Sequence, residues 1–363
     1  MTTTAPKPRK TKHAATLADV GREAGVSAMA ASAVLNGSKT SSRISTETRE
    51  RILEAAKKLN YRVNAAARAL VDRRMNTIGV AITLARNELN QYFLEVFNGV
   101  LEAASELGQN TTVFTLTDWQ SAPERIHTIC DGRIDGLILL APLINHEAAS
   151  KLPDHTPFVS VHANVDMPGV VNLESDEEVG AHAMVARMLA LGHKRILHIG
   201  GGVDSIGAQR RAAGYLRAHE EARVKPPRDY LLYAEFSSEA GRRVLDDWMH
   251  RHVGKPLPDA IFGGSDAIAL GCMDILSARG LRVPADVSVV GFDDTMLARS
   301  AHLSTVRQPL REMGNRAVQL LVAQVEAKLQ DTLWRGPKNI VFPTEIIEGQ
   351  TLAKPRAKKL ALS

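Results

Sequence analysis

Residues 16–37, TLADVGREAGVSAMAASAVLNG, decide the fold of the N-terminal part of the chain. The stretch opens with a capping box, in which the side chains of Thr16 and Asp19 each accept a hydrogen bond from the other residue's backbone amide. The apolar residues that follow recur with helical spacing and predict a short first helix. Gly25 comes directly after the last of them, where helices often end in the left-handed conformation that glycine tolerates.

A second helix follows after a very short turn. Ser27 is placed to cap it, and the pattern predicts a helix over residues 28–35 that stops at residues 36–37, Asn-Gly. A third helix is predicted over about residues 45–59. Two short helices joined by so tight a turn predict a helix-turn-helix motif.

The second helix carries no charge and almost no long side chain. Its small residues Ala30, Ala31 and Ala33 would let it approach another surface closely. A three-helix bundle with an ordinary polar surface does not need such a helix, whereas a recognition helix seated in the major groove of DNA does.

Charge is distributed unevenly along the chain. Residues 1–76 hold 15 Lys and Arg against 6 Asp and Glu, and residues 352–363 add four basic side chains and no acidic one. The residues between them carry a net charge of −8, so the whole chain has +5. A basic head on an acidic body indicates that the head meets a polyanion. A solubilising tail is the alternative, but the helical patterning of the head favours nucleic acid.

Residues 61–76, YRVNAAARALVDRRMN, predict a short hinge helix. Asn64 is placed to cap it, and Ala67 and Leu70 lie one turn apart. A helix this short is unstable alone, so it needs a packing partner such as DNA and a second copy of itself. An exposed leucine there is a candidate wedge between base pairs in the minor groove. An ordinary linker is the other interpretation.

From residue 77 onward, runs typical of buried strands alternate with amphipathic helices. The strand runs are TIGVAIT, TTVFTL, GLILLA, PFVSVH, RILHIGG, YLLYAE, AIFGGS and VSVVGF. This alternation predicts an α/β body with doubly wound parallel sheets and helices on both faces of each sheet. The number of strands predicts two similar lobes. Ligands in such folds bind beyond the carboxyl ends of the strands.

Several function classes lack their motifs in this chain. GGGVDSIGAQ at residues 200–209 has neither the Lys-Ser/Thr of a P-loop nor the third glycine of a dinucleotide-binding loop. GGSDA at residues 263–267 lacks the final glycine of a nucleophile elbow. We therefore predict no enzyme, no catalytic residue, no metal site and no cofactor. No apolar run is long enough for a membrane span, no signal-peptide pattern is present, and the two cysteines form no CxxC pair, so we expect a cytoplasmic protein.

Several long stretches, in order from Thr16 to about Gly349, resemble the lactose-repressor (LacI/GalR) family of bacterial transcription regulators. The most specific are TLADVGREAGVS, VLNG, TRERILEAAKKLNY, NAAARALVDRRMNTIGV, LGHKRILHIGG, RAAG, VPADVSVVGFDDT and STVRQPLREMG. The resemblance implies an N-terminal three-helix DNA-binding domain, a hinge helix and a two-lobed body similar to periplasmic sugar-binding proteins. It also implies a homodimer whose affinity for a palindromic operator depends on a small effector bound between the lobes.

The expected domains are a disordered basic arm (1–15), the head (16–60), the hinge (61–76), the effector-binding and dimerisation body (77–351) and a basic tail (352–363). Within the body, the first lobe is expected over 77–191 and 308–336, and the second over 192–307 and 337–351. The tail lacks leucine heptads long enough for a coiled coil, so we expect a dimer rather than a tetramer.

The expected DNA-binding residues are Thr16, Leu17, Ser27, Ala28, Met29, Ser32, Ala33, Asn36, Lys39, Arg43, Ser45, Thr48, Asn64, Ala67 and Leu70. The family usually has Thr-Val-Ser-Arg at residues 30–33, and the missing arginine would normally contact guanine, worth about 1–3 kcal/mol of discrimination. We expect the second helix to read thymine methyl groups and shape instead, with phosphate contacts supplying affinity. The loop GSKTSSRIS is longer than is usual in the family, which makes its Lys39 and Arg43 candidates for an additional contact.

The resemblance also implies an effector site of Asn90, Tyr92, Phe93, Arg211, Phe236, Ser265 and Asp293. Aromatic rings would cover the C–H face of a sugar, and an arginine and an aspartate would bind its hydroxyls. Taken singly, Phe236 also fits a core residue, Arg211 a surface ion pair and Asp293 a helix cap. The family's usual effectors favour a sugar over a nucleobase. Ser265 stands where asparagine is common, and Val179 where the lactose repressor has an acidic residue.

Two other classes of protein stay open at this point. One is a ligand-binding module whose head has lost DNA specificity, since Ala33 replaces the usual arginine. The other is a metabolic enzyme on an α/β body, for which no catalytic residue is visible.

Overall fold

The computed structural model describes residues 14–36, 44–62, 73–83 and 90–356. The chain divides into two compact units, residues 1–75 and 76–363. Some predicted DNA-binding residues lie outside the described ranges, namely Lys39, Arg43, Asn64, Ala67 and Leu70.

The N-terminal unit contains the three predicted helices, α1 (Leu17–Ala24), α2 (Ala28–Leu35) and α3 (Thr46–Lys58). Their apolar faces meet in one small core of Val20, Ala24, Ala31, Val34, Ile52, Ala55 and Ala56. None of these helices is long enough to be stable alone in water, so this shared core is what holds them in place.

The first lobe of the body is built on a six-stranded sheet. Its strands are β1 (Thr77–Thr83), β2 (Asn110–Leu116), β3 (Gly136–Leu140), β4 (Phe158–Val161), β5 (Val171–Ser175) and β11 (Asn339–Phe342). They are all parallel, in the order β11-β5-β4-β3-β1-β2. Helices α4 (Gln91–Glu106) and α12 (Leu310–Leu329) cover one face, and α5 (Ala122–Ile129) and α6 (His146–Ala149) the other.

The second lobe repeats this plan on a smaller parallel sheet. Its strands are β6 (Ile196–Gly200), β7 (Leu231–Tyr233), β8 (Ala260–Gly263) and β9 (Ser288–Val290), in the order β7-β6-β8-β9. Helices α7 (Glu177–Ala190) and α8 (Ile206–Glu221) cover one face, and α9 (Ser238–Arg251) and α10 (Asp266–Ala278) the other. After the short helix α11 (Met296–Ser300), β10 (Thr305–Arg307) pairs antiparallel with β12 (Glu345–Ile347). The prediction of two doubly wound parallel sheets is confirmed.

The chain passes between the lobes three times, at residues 175–177, 307–310 and 342–345. Two of the predicted lobe boundaries are therefore wrong. Residues 177–190, expected in the first lobe, form α7, whose buried side chains share a core with β6 and α8 of the second lobe. Residues 339–342, expected in the second lobe, form β11, which pairs with β5 at the edge of the first sheet.

The strands that the sequence patterns missed are β5, β10, β11 and β12. In β5 the sequence VNLES interrupts its apolar residues with Asn172 and Glu174. These polar residues are tolerated because they have partners: Asn172 Oδ1 accepts a hydrogen bond from Ser160 Oγ at 3.0 Å, and Glu174 Oε2 one from Arg210 at 2.8 Å. Strands β10 and β12 have three residues each, too few to show a period.

Helices α4 and α12 approach each other so closely that each needs a glycine at the contact. A Cβ atom on Gly99 would lie 1.9 Å from the carbonyl oxygen of Arg311, and one on Gly314 would lie 2.0 Å from that of Val96. Both clashes are with backbone, which cannot rotate away. The two glycines therefore set the separation of the helices that cover this face of the first sheet.

The buried histidine of β6 gives the second lobe a predictable response to acid. His198 is fully buried between the rings of Tyr215 and Phe262, and its Nδ1 lies 2.9 Å from the Phe262 carbonyl oxygen. Burial lowers the pKa of His198 from 6.5 to about 4. Because the pKa of His198 is lower in the folded state than in the unfolded state, folding favours the neutral ring. Relative to low pH, this contributes about 3 kcal/mol to the stability of the folded protein above pH 6.5, and the contribution is lost as the pH falls towards 4.

We expect His198→Phe, which keeps the ring stacking, to lose less thermal stability between pH 7 and pH 4.5 than the unmodified protein. Melting temperatures at the two pH values test this. Equal losses in the two proteins would show that His198 is not responsible for the acid sensitivity.

Candidate DNA-binding surface and effector site

The capping box that opens α1 is present. The backbone amide of Thr16 donates to Asp19 Oδ2 at 3.0 Å, and the amide of Asp19 donates to Thr16 Oγ1 at 3.3 Å. Gly25 follows α1 with φ of +68°, the left-handed conformation predicted for it. The Ser27 hydroxyl then accepts from the Ala30 amide at 3.1 Å and starts α2. These local bonds fix the angle at which α2 leaves the turn.

The outward face of α2 is formed by the predicted recognition residues. Ser27, Ala28 and Met29 are exposed, Met29 to 81%, whereas Ser32, Ala33 and Asn36 are half-buried. The Asn36 amide nitrogen donates to Ser32 Oγ at 2.9 Å, one helical turn away. This face has no charged side chain and little that projects from the helix except Met29.

Ala31 does not face outward on α2, contrary to the prediction from the sequence. Ala31, grouped with Ala30 and Ala33 as a small residue for close approach to DNA, is fully buried in the core of the head. Its small size serves the packing of α2 against α1 and α3.

The other described DNA-binding candidates lie at helix starts. Ser45 caps α3: its hydroxyl accepts from the Thr48 amide at 3.3 Å and donates to Thr48 Oγ1 at 2.9 Å. Leu17, at the start of α1, packs on the core of the head and is half-buried.

In the body, charged and aromatic side chains from both lobes meet at the carboxyl ends of the strands. Tyr92 comes from α4 and His162 directly follows β4 in the first lobe. Arg211 on α8 and Asp293, which follows β9, belong to the second lobe. The sheets of doubly wound proteins bind ligands at this end. We call this region the cleft.

Arg211 is buried at the centre of the cleft. Its Nε and Nη2 donate to Glu177 Oε1 at 3.2 and 2.7 Å, and its Nη1 donates to the Gly264 carbonyl. Its guanidinium carbon lies 4.1 Å from the centre of the Phe292 ring and 5.4 Å from that of Phe236. Arg211 is therefore not a surface ion pair. Each of its three nitrogens already has a protein acceptor.

Asp293 is another buried acidic residue of the cleft. Its Oδ1 accepts from Gln308 Nε2 at 2.6 Å and lies 3.7 Å from Arg211 Nη1. Its backbone has φ of +124°, a conformation that L-residues rarely adopt, so local strain accompanies its placement. Burial raises the pKa of Asp293 to about 6. Asp293 is not a helix cap.

A chain of hydrogen bonds joins the two lobes through the cleft. Burial lowers the pKa of His162 to about 4, so its ring is neutral at pH 7. His162 Nε2 accepts from the Ser175 amide at 3.2 Å, which leaves the proton on Nδ1, 2.6 Å from the Tyr92 hydroxyl oxygen. The Ser175 hydroxyl donates to Gln308, and Gln308 donates to Asp293. Tyr92 therefore keeps its own hydroxyl proton for another acceptor.

The remaining predicted effector residues have structural contacts here. Asn90 caps α4 by accepting from the Phe93 amide at 3.0 Å, and the Phe93 ring meets Tyr92 edge to face at 5.3 Å. Ser265 is buried and caps α10 by accepting from the Ile268 amide at 3.2 Å. The ring of Phe236 fills the space over Gly201, where a Cβ would lie 1.9 Å from it.

The predicted set missed Glu177, His162 and Gln308. Glu177 is the most informative of them, because it is 1% exposed and holds Arg211. The acidic run Asp-Glu-Glu at residues 176–178 was its signal, but β5, which ends just before it, was not predicted. Val179, which stands where the lactose repressor has an acidic residue, is exposed.

Two ion pairs also bridge the lobes beside the cleft. Arg210 Nη1 lies 2.8 Å from Glu174 Oε2, joining α8 to β5. Arg299 Nη2 lies 2.6 Å from Glu95 Oε1, which also accepts from the Met296 amide at 3.0 Å, joining α11 to α4. These ion pairs keep the two lobes in contact beside the cleft.

Within the described ranges, no three His, Cys, Asp or Glu side chains are grouped as metal ligands. None of the helices there is both long and apolar enough to cross a membrane.

Comparisons with known proteins agree with a helix-turn-helix head followed by a two-lobed body. Residues 16–64 match the family model "Bacterial regulatory proteins, lacI family", and residues 185–352 match "Periplasmic binding protein-like domain". The ribose operon repressor of Haemophilus influenzae is 30% identical over 315 residues, which cover 86% of this chain and 92% of the relative. The chain belongs to the lacI family of bacterial regulatory proteins.

Other relatives are similar over nearly the whole chain. The transcriptional repressor PurR of Aliivibrio fischeri is 29% identical over 321 residues, 86% of this chain and 93% of that protein. A lac repressor dimer bound to operator and the anti-inducer ONPF is 26% identical, with a TM-score of 0.78. A complex of the transcriptional regulator CelR with cellobiose is also 26% identical, with a TM-score of 0.67. The two structural comparisons each cover 93% of this chain and 99% of the solved structure. The homologues are transcriptional repressors.

Proposed function

We propose that this chain is a transcriptional repressor that binds a palindromic operator as a homodimer in the cytoplasm. A small carbohydrate effector in the cleft controls its affinity for the operator. The observation that carries the proposal is that one chain combines a helix-turn-helix head with a body whose buried charged and aromatic residues meet between two lobes.

The outward face of α2 supports recognition of DNA through apolar contacts with base edges and through the shape of the groove. Ala28, Met29 and Ala33 present methyl and thioether groups, which suit the C5-methyl of thymine, and no charged side chain stands among them. Ser45 and Thr48 at the start of α3 are candidates for phosphate contacts, since helix starts favour anions. Hydroxyl and backbone contacts of this kind position a protein on the duplex without reading its sequence.

The cleft supports a polar effector with an apolar face. Phe236 and Tyr92 supply aromatic surface, and Asp293 and Arg211 supply charge. Two similar proteins also favour a carbohydrate effector, because one is a ribose operon repressor and the other was solved in complex with cellobiose. We infer that binding changes the relative position of the lobes and shifts operator affinity by about 1–3 kcal/mol, the usual size of such coupling.

The deciding experiment is a selection from a random-duplex pool with full-length protein, followed by sequencing of the bound fraction. We expect an enriched palindrome with a flexible central pyrimidine–purine step, which a leucine wedge from the hinge would require. If no sequence is enriched and DNA binding falls steeply with salt concentration, the protein is instead a ligand-binding protein whose head has lost DNA specificity.

A substitution on α2 tests the recognition face directly. Met29→Glu places a carboxylate where the DNA would lie, so we expect operator affinity to fall at least about tenfold at physiological salt. Leu53→Glu is the matched control, because Leu53 is also exposed but lies on α3 and is not a predicted contact. Both variants should keep the melting temperature of the parent protein. Equal losses of affinity would mean that only net charge matters and that α2 does not read the operator.

A further inference from the structure

The cleft offers more hydrogen-bond acceptors than donors. Arg211 was expected to bind the hydroxyl groups of a sugar, but all three of its nitrogens donate to Glu177 and to the Gly264 carbonyl. At most two of its five N–H groups remain for a ligand. Around it lie the carboxylates of Glu177 and Asp293, so an incoming ligand meets mainly oxygen atoms with lone pairs.

The Glu177 carboxylate has one oxygen that is not satisfied. Both hydrogen bonds from Arg211 go to Oε1. Oε2 is buried and accepts no hydrogen bond from any described residue; Arg210 Nη1 lies 3.8 Å from it, too far for a hydrogen bond. Burying a charged oxygen without a hydrogen-bond donor costs more free energy than burying a neutral one. A ligand that donates a hydrogen bond to Oε2 would remove part of this cost, which would favour its binding.

The charges around this oxygen leave an excess of negative charge. Glu174, Glu177 and Asp293 face two arginines, Arg210 and Arg211. The effect reaches across the cleft to the first lobe. Burial, followed by the carboxylates of Glu177 and Asp293, raises the pKa of Tyr92 well above its ordinary value. A positive charge on the ligand would balance the cluster.

The aromatic residues of the cleft favour the same kind of ligand. Tyr92 and Phe93 lie edge to face in the first lobe, and Phe236 lies over the guanidinium in the second. Faces of aromatic rings are negative and attract cations, most strongly where water is excluded. A cleft that combines aromatic rings with an excess of carboxylates suits a protonated amine.

We propose that the effector carries a protonated amine, as an amino sugar does, and that Glu177 selects it through Oε2. This inference rests on the proposed function, in which the cleft binds a small carbohydrate. Glu177 thereby has two roles: Oε1 holds Arg211 in place, and Oε2 receives the ammonium group.

Matched sugar pairs test the inference. Melting temperatures of the full-length protein would be measured with glucosamine and glucose, galactosamine and galactose, and mannosamine and mannose, at pH 6.5 and constant ionic strength. Members of each pair differ only in the group at C2. We expect at least one amino sugar to bind at least tenfold more tightly than its neutral parent.

Two variants identify the residue responsible. Glu177→Gln keeps the size of the side chain and removes its charge, and should reduce the preference for the amine to less than twofold. Glu178→Gln is the control, because Glu178 is the next residue but pairs with Arg217 at the surface, and it should keep the full preference. Both variants are first checked for an intact fold by circular dichroism.

Two results would overturn the inference: no amino sugar exceeding its neutral parent, or Glu177→Gln retaining the preference. Operator binding is measured on the same samples with and without each sugar. If a neutral sugar stabilises the protein and alters operator binding, the proposed function stands and only the choice of an amine is wrong. If no sugar has either effect, both the amine and the carbohydrate effector are wrong.

Discussion

Replacing Gly314 with alanine should destabilise the body by about 3 kcal/mol or more, the upper range for forcing an extra group into a packed core. The added Cβ would lie 2.0 Å from the carbonyl oxygen of Val96 on α4, so α12 has to move away from its partner along the contact. Helix propensity alone predicts the opposite sign, because alanine is favoured over glycine in a helix by about 1 kcal/mol. The direction of the change therefore separates packing from propensity.

Thermal unfolding of the full-length protein measures this effect. Gly202→Ala serves as the control, since a Cβ on Gly202 meets no atom within 4 Å, and its melting temperature should stay close to that of the parent protein. Gly99→Ala should resemble Gly314→Ala, because the same two helices are forced apart from the other side. A rise in melting temperature for Gly314→Ala would show that the α4–α12 contact is loose enough to relax.

Replacing Arg211 with methionine should cost about 3–5 kcal/mol of stability, the cost of leaving a buried charge without its partner. Methionine keeps much of the length and apolar volume of arginine, so the loss comes mainly from the carboxylates of Glu177 and Asp293. Arg217→Met is the matched control on the same helix. Arg217 is 40% exposed and pairs with Glu178 and Glu221 at the surface, where such pairs contribute at most about 1 kcal/mol.

The two arginine variants should also differ in function. Arg211→Met should abolish any effect of effector on operator binding, because the group that organises the cleft is gone. Arg217→Met should respond as the parent protein does. If Arg211→Met loses no more stability than Arg217→Met, the carboxylates of the cleft are protonated or hydrated and the buried ion pair contributes little.

The strands whose sequences are continuous apolar runs were predictable, as were the helices with caps. β3 is buried on both faces and shows this directly, whereas β5 breaks the pattern because its polar residues find partners only in the folded state. The lobe boundaries depended on β5 and β11. Which lobe α7 joins is decided by packing with distant segments, and local sequence does not contain that information.

The residue types that line the cleft were predictable from the sequence, and their contacts were less so. Arg211, Asp293 and Phe236 do meet in the cleft. The partner that controls them, Glu177, lies on a helix whose role became visible only when β5 was placed beside β4. In the head, the one-letter pattern identified the helices correctly, but the direction in which Ala31 points depended on the core that three helices share.

The three passages of the chain between the lobes determine when the body can be completed during synthesis. The first strand of the first sheet begins at residue 77, but β11, which pairs with the edge of β5, is synthesised only near residue 340. The edge of β5 therefore stays unpaired until then. An uncovered parallel edge is a template for pairing with another chain. A premature stop codon after α12 would remove β11 and β12, which pair with β5 and β10. We expect the truncated body to aggregate.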